Sequence, residues 1–299
     1  MITRKIIATM AILIALAGAP APAPAGQADE VVVKAIPVTK QIFMISGDGG
    51  NIGLFIGADG TFLIDDQYAP LTEKIIAAIK SVGGDMPKFL LNTHYHADHT
   101  GGNEKLGGSG ALIFSHDNVR QRLKSGAFIA AFAKKIEPLA QEGLPVVTFT
   151  EEITFHLNND TVQVIHAPQA HTDGDSFIHF KKANVIHAGD LFFNGFYPFI
   201  DVDHGGSLAG TIKGVDQLLA LSDNKTKIIA GHGPMGNKAQ LKKYRQMLAT
   251  AYDRLAKLKA AGKSAQEAAA AKPLADLEAE WGDGLFPGER WIEIIYSGI

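Results

Sequence analysis

The segment Thr93-His94-Tyr95-His96-Ala97-Asp98-His99-Thr100-Gly101-Gly102 constrains this chain more than any other. Four side chains able to bind a metal, His94, His96, Asp98 and His99, fall within six residues, just after the apolar run Phe89-Leu90-Leu91. Such a run reads as a short buried strand. Side chains alternate across a strand, so an extended start turns His94 and His96 to one side, where both imidazoles reach one ion. Asp98 and His99 follow in the turn and can face a second ion. The competing reading is a polar loop with chance histidines, and the density of donors at a strand end argues against it.

Three more candidates stand at strand-to-loop boundaries. His171 lies in Ala170-His171-Thr172-Asp173-Gly174, Asp190 ends His187-Ala188-Gly189-Asp190, and His232 lies in Gly231-His232-Gly233-Pro234. Any one alone reads as a loop residue. Together with the first cluster they make seven ligands, the number two ions need when they share one carboxylate. The chain has no cysteine, so any metal is held by His, Asp or Glu and the fold needs no disulfide. Imidazole nitrogen with carboxylate oxygen is a zinc-like donor set.

These residues resemble the metallo-β-lactamase fold superfamily, with its His-x-His-x-Asp-His signature followed by three later ligands in the same order. The resemblance runs from about Val38 to Leu248. It implies an α/β fold, an αββα four-layer sandwich with the metals at one edge of two sheets, and a ligand set like that of the glyoxalase and lactonase branches. By that match His94, His96 and His171 bind the first of two zinc ions (Zn2+). Asp98, His99 and His232 bind the second, and Asp190 bridges both. Asp65, closing Thr61-Phe62-Leu63-Ile64-Asp65, matches a family aspartate that supports the metal loop through hydrogen bonds. Asp98 is the expected catalytic residue, orienting the nucleophile and relaying its proton.

The implied activity is that of an exported dinuclear zinc hydrolase whose metal-bound hydroxide opens a small cyclic amide or ester, with β-lactams among the candidates. A lactonase, esterase or thioesterase is the alternative. An iron-dependent oxidoreductase on the same fold and an accessory protein with structural metals are readings of other classes. The chain departs from the cysteine-bearing β-lactamase branch, having no cysteine and no lysine in Leu191-Phe192-Phe193-Asn194-Gly195-Phe196-Tyr197 after Asp190. Asn194, Tyr197 and His204 are therefore the candidate substrate contacts. At least two of Phe192, Phe193 and Phe196 are expected in the core. His116, His156, His166, His179 and His187 read as structural.

Hydrophobic patterning predicts strands over 41–45, 52–56, 61–64, 89–91, 111–114, 153–155, 162–165, 176–180, 185–187 and 227–230. It predicts helices over 71–82, from Asp117 to about Ile136, and over 207–221, 239–260 and 265–272. No linker divides residues 31–299, so they read as one domain. The N-terminus reads as a signal peptide over residues 1–25. It has Arg4 and Lys5, an apolar run from Ile6 to Ala17, and small residues that permit cleavage after Ala25 or Ala28. An uncleaved anchor is the alternative. The mature protein is then periplasmic or secreted and keeps no stable membrane anchor. The net charge of −3 and the lack of a basic patch speak against nucleic acid. The expected partner is a small-molecule substrate. The oligomeric state is left open by the sequence.

Overall fold

The computed structural model describes residues 30–299. The expected signal segment and both cleavage sites lie outside the described residues. Alternating apolar runs separated by tight turns form fifteen strands among the described residues. They are β1 (Lys34–Pro37), β2 (Ile42–Ser46), β3 (Ile52–Gly57), β4 (Gly60–Ile64), β5 (Phe89–Leu91), β6 (Leu112–His116), β7 (Ala127–Ile129) and β8 (Lys134–Ile136). They continue as β9 (Val147–Phe149), β10 (Glu152–Leu157), β11 (Asp160–His166), β12 (Ser176–Phe180), β13 (Val185–His187), β14 (Lys227–Ile229) and β15 (Gly236–Asn237).

One sheet has seven strands in the order β1-β2-β3-β4-β5-β6-β9, and a second has six in the order β10-β11-β12-β13-β14-β15. The first is antiparallel as far as β4 and parallel from β4 to β9. In the second, β13 and β14 run parallel.

The inner faces pack on each other through aromatic rings. Phe55 of β3 meets Phe180 of β12 edge-on at 5.2 Å between centroids, and Phe62 of β4 meets Phe155 of β10 at 5.2 Å. Offset and edge contacts of this kind add to the burial of apolar area. Alternation then sends the intervening residues outwards. Leu63 and Leu90 are fully buried on the outer side of the first sheet. The Thr72–Ser81 helix turns Ile75, Ile76 and Ile79 inwards. On the outer side of the second sheet, Phe177, Ile186 and Ile228 share a core with Leu218 of the Leu208–Leu221 helix and with Leu241, Tyr244 and Leu248 of the Lys238–Ala260 helix. The result is the αββα sandwich.

One expected element is corrected. The helix that starts at Asp117 stops at Ser125, not near Ile136. Gly126 takes φ 73°, a left-handed conformation that ends a helix readily only when the residue is glycine. The chain then turns through Ala130–Phe132 and folds back as a hairpin, with Ala127 opposite Ile136 and Ile129 opposite Lys134. Ile129 and Ile136 are buried under it. An apolar spacing compatible with a helix is here used by two short strands.

The fold brings three strand ends to one edge. β5 leads into His94, β13 into Asp190 and β14 into His232. Two sets of hydrogen bonds tie the sheets together there. The N–H of Ser176, at the start of β12, donates to the carbonyl of Thr93 at 2.8 Å. Asn51 donates its backbone N–H to the Gly231 carbonyl at 2.7 Å, and its side-chain amide to the carbonyls of Ala230 at 2.9 Å and Gly233 at 2.8 Å.

Candidate metal centre

The seven candidate ligands converge at this edge. One group is His94, His96, His171 and Asp190, and a second is Asp98, His99 and His232; within each, the donor atoms lie within 4.8 Å of one another. His94 Nε2 and His96 Nδ1 stand 3.1 Å apart. Asp190 reaches both groups. Its Oδ2 lies 3.6 Å from His171 Nε2, 3.8 Å from His94 Nε2 and 3.4 Å from His232 Nε2, while its Oδ1 lies 3.2 Å from His99 Nε2. Asp98 Oδ2 stands 3.4 Å from His232 Nε2 and 3.6 Å from His99 Nε2. Gly189 sets up this placement. At φ 51° it lets the chain reverse directly after β13, which aims Asp190 back at the histidines.

Outer contacts fix which ring nitrogen His94, His96 and His99 present. Asp65 accepts the Thr93 N–H and the Thr93 hydroxyl, both at 2.7 Å, and lies 2.8 Å from His99 Nδ1. That leaves His99 Nε2 for the site. Asp65 does this from φ 62°, a strained backbone for a non-glycine residue, held because its carboxylate is fully buried among these partners. The Thr93 hydroxyl also faces His94 Nδ1 at 3.0 Å, so His94 presents Nε2. Asp201 Oδ2 lies 3.0 Å from His96 Nε2 and accepts the Tyr95 hydroxyl, so His96 presents Nδ1. Asp175 Oδ1 lies 3.4 Å from His171 Nδ1. Carboxylates behind ligating imidazoles raise their basicity and hold their orientation.

The donor set fits a metal. His171 Nε2 and Asp190 Oδ1 are buried with no hydrogen-bond partner. Buried polar atoms are almost always paired, and a bound cation would satisfy both. Burial pushes the His94 and His96 imidazoles below the ordinary histidine range, which keeps them neutral. For His99, His171 and His232 burial acts the same way but is outweighed by neighbouring carboxylates, Asp190 foremost, and His232 is raised to about 9. Burial works to raise Asp98 and Asp190, yet His99 and His232 hold both carboxyls below their ordinary range. The cluster therefore combines the ionised carboxylates Asp98 and Asp190 with protonated His99, His171 and His232 and neutral His94 and His96, and a cation would displace the protons of the first three imidazoles.

A cavity of about 230 Å³ opens over the cluster. Asp98, Asp190 and His232 form its floor, and Tyr68, Phe132, Lys134, Phe193, Phe199 and Leu285 form its walls. The expected substrate contacts are not among its lining residues. Asn194 donates its side-chain amide to the Pro234 carbonyl and its backbone N–H to the His232 carbonyl, both at 2.9 Å, and so braces the His232 loop. Tyr197 is fully buried and stacks on Trp291 at 4.5 Å. His204 turns Nδ1 to Asp201 Oδ1 at 2.8 Å. Phe192 and Phe193 are buried, and Phe196 packs half-buried against Phe193.

Sequence reasoning missed Asp201, Asn51, Tyr68 and the wall contributed by the hairpin. Asp201 carried a weak signal, as an aspartate in the same post-Asp190 loop as His204. Lys134 carried none, because its segment reads as helix.

A family model described as the metallo-beta-lactamase superfamily matches residues 45–232, from β2 to the last of the seven candidate ligands. The chain belongs to the metallo-beta-lactamase superfamily. An uncharacterised protein of Aquifex aeolicus (strain VF5) is 30% identical over 176 residues, covering 58% of this chain and 79% of that one. Among solved structures, the DIM-1 metallo-beta-lactamase superposes with a TM-score of 0.59 at 18% identity, over 74% of this chain and all of that one. The stereoselective inverting sec-alkylsulfatase Pisa1 from Pseudomonas sp. gives a TM-score of 0.66 at 15% identity, over 89% of this chain but 50% of that one. This metallo-beta-lactamase superfamily chain thus spans about half the length of that sulfatase. The superfamily includes hydrolases of both kinds, and the shared feature on this chain is the fold with its His/Asp cluster.

Proposed function

We propose that the protein is an exported dinuclear zinc hydrolase that opens a small cyclic amide or ester. The observation that carries this reading is Asp190, whose buried carboxylate turns Oδ2 to His94 and His171 of one group and Oδ1 to His99 of the other. Structural sites are closed by four ligands and need no such bridge. His94, His96, His171 and Asp190 would hold one ion; Asp98, His99 and His232, with Asp190, the other. Zinc so bound supplies Lewis acidity, which lowers the pKa of a water to about 7 and polarises a carbonyl oxygen.

The chain's own residues supply the rest. Asp98 borders the cavity with its carboxylate 21% exposed, so an entering water meets an ionised acceptor for its proton. Tyr68 keeps its phenolic proton, since burial and then Asp98 push it up, and offers a donor at the cavity wall. The residues lining the cavity include no serine, threonine or cysteine, which favours direct attack of water over a covalent acyl intermediate. In the net reaction a bond forms from water oxygen to the carbonyl carbon and the C–N or C–O bond breaks. The departing nitrogen or oxygen takes the proton. The apolar walls exclude bulk water and suit a compact organic substrate.

Export rests on the sequence of residues 1–28. Among the described residues no helix is long and apolar enough to cross a membrane. A panel of chromogenic β-lactam, lactone, thioester, phosphodiester and alkyl sulfate substrates, each run with and without added zinc, tests the reading. Zinc-dependent turnover of a lactam or lactone is expected; turnover confined to phosphodiesters or sulfates would overturn the substrate class.

A further inference from the structure

The β7–β8 hairpin forms the outer wall of the cavity and brings two different chemistries to it. The Phe132 ring, 46% exposed, packs on Phe199 at 5.0 Å and on Phe286 at 5.4 Å, and with Leu285 extends an apolar rim around the mouth. Two residues on, Lys134 also lines the cavity, with its ammonium 4.8 Å from the centre of the Tyr68 ring. Its neighbour Lys135 is paired with Glu137 at 3.0 Å. Lys134 has no carboxylate partner among the described residues, and it is the one lysine or arginine lining this cavity. An ammonium held over an aromatic face keeps its donors free for an anion while its position is restricted.

We infer that Lys134 is a specificity-determining residue, selecting a substrate with an apolar body and a single carboxylate set away from the scissile bond. The apolar part fills the space between Phe132, Phe199 and Leu285, and the carboxylate meets Lys134 beside Tyr68. This inference rests on the hydrolase reading above and adds to it the charge and polarity of the substrate. Lys134 binds the ground state and the transition state alike, so its contribution falls on KM rather than kcat.

The test compares two esters of the same length, mono-4-nitrophenyl glutarate, which carries a carboxylate, and neutral 4-nitrophenyl valerate. The zinc-loaded wild-type protein, Lys134→Met and Lys134→Arg are assayed on both. The expected result is a drop of about tenfold in kcat/KM for the glutarate ester in Lys134→Met, through KM, as for a lost hydrogen bond to a charged group. The valerate ester should be unchanged, and Lys134→Arg should recover most of the loss. Calorimetric binding of 5-phenylvalerate against 5-phenylpentanol to the same three proteins gives a readout that needs no turnover, with the same expected ratio. A glutarate-to-valerate ratio that is equal in wild type and Lys134→Met overturns the inference while leaving the hydrolase reading intact. If neither ester is hydrolysed but 5-phenylvalerate binding still depends on Lys134, the anion subsite stands, and the hydrolase reading is decided by the panel of lactam and lactone substrates above. If binding is also independent of Lys134, the inference falls with it.

Discussion

Asp201 and His96 face each other at 3.0 Å, carboxylate Oδ2 to ring Nε2, and this contact turns the opposite nitrogen, Nδ1, towards His94. Asp201 also accepts the Tyr95 hydroxyl and lies against His204, so one buried carboxylate gathers three side chains behind the site. The imidazoles and Tyr95 hold its carboxyl below the ordinary range in spite of burial. It acts as an anion that orients an imidazole. In Asp201→Asn the amide replaces one acceptor oxygen with a donor, and His96 loses its fixed tautomer. Metal affinity at the His94 group should fall by about 10–100-fold, as for other partners behind ligating histidines. Competition with a chromogenic chelator measures it, and an unchanged affinity would remove Asp201 from the account.

Asp190→Ala should abolish binding of at least one ion and cut kcat by orders of magnitude. His204→Ala should leave both ions in place and change kcat/KM by no more than about threefold, since His204 faces Asp201 and not the cavity. The two variants are compared on one substrate, with metal content measured in parallel. Retention of two ions and near-normal kcat in Asp190→Ala would show that Asp190 is not the bridge.

Gly50 lies directly against His99. A Cβ at this position would come within 2.0 Å of His99 Cε1 and 2.3 Å of Nε2. Gly50→Ala therefore has to displace a ring whose other nitrogen is fixed by Asp65, although residue 50 ligates nothing. The expected outcome is loss of the ion held by Asp98, His99 and His232, with the His94 group still occupied. Metal analysis and a far-ultraviolet circular dichroism spectrum check it. Two ions in a folded Gly50→Ala protein would contradict the packing.

The cluster of candidate ligands was legible in the sequence because it breaks the pattern around it. Histidine and aspartate crowd the ends of apolar runs at His94–His99, Asp190 and His232, where a buried strand otherwise gives way to turn residues. The sandwich was legible for a related reason. Runs such as Ile42–Ile45 and Phe177–Phe180 are too short for helices, and they alternate with helical periods. What escaped was set by contacts far apart in the chain. Asp201 matters because it meets His96, more than a hundred residues earlier, and no local pattern announces that. The segment from Asp117 to Ile136 carries apolar residues at spacings that suit a helix or two strands. Gly126 decides between them, and the change brings Lys134 to the cavity. Asn194, Tyr197 and His204 were singled out by their place after Asp190, but that loop turns all three away from the cavity, towards Pro234, Trp291 and Asp201.

His187 gives the metal-free protein an acid-sensitive element. Its Nε2–H donates to the Asn51 carbonyl at 3.0 Å and its Nδ1 accepts the Gly189 N–H at 3.3 Å, so the neutral ring has both nitrogens committed. Burial holds its pKa below the ordinary value of 6.5. The unfolded chain then takes up a proton as pH falls through about 6.5 while the folded chain does not, and stability is lost on that descent. Above that pH the contribution of His187 is fully present. His187→Gln lacks this titration. In apo protein, the stability gap between wild type and His187→Gln, read from urea unfolding, should narrow from pH 7.5 to pH 5.5. A gap that is constant or widens over this range would mean that His187 is protonated in the fold.

The central claim is that seven side chains hold two ions through one shared carboxylate, and metal content measures it most directly. Protein purified from zinc-supplemented culture and dialysed against metal-free buffer should contain about two zinc ions per chain by plasma mass spectrometry. The Asp190→Ala protein, prepared alongside, should contain one or none. A wild-type protein that consistently holds one ion, or iron alone, would contradict the dinuclear zinc centre.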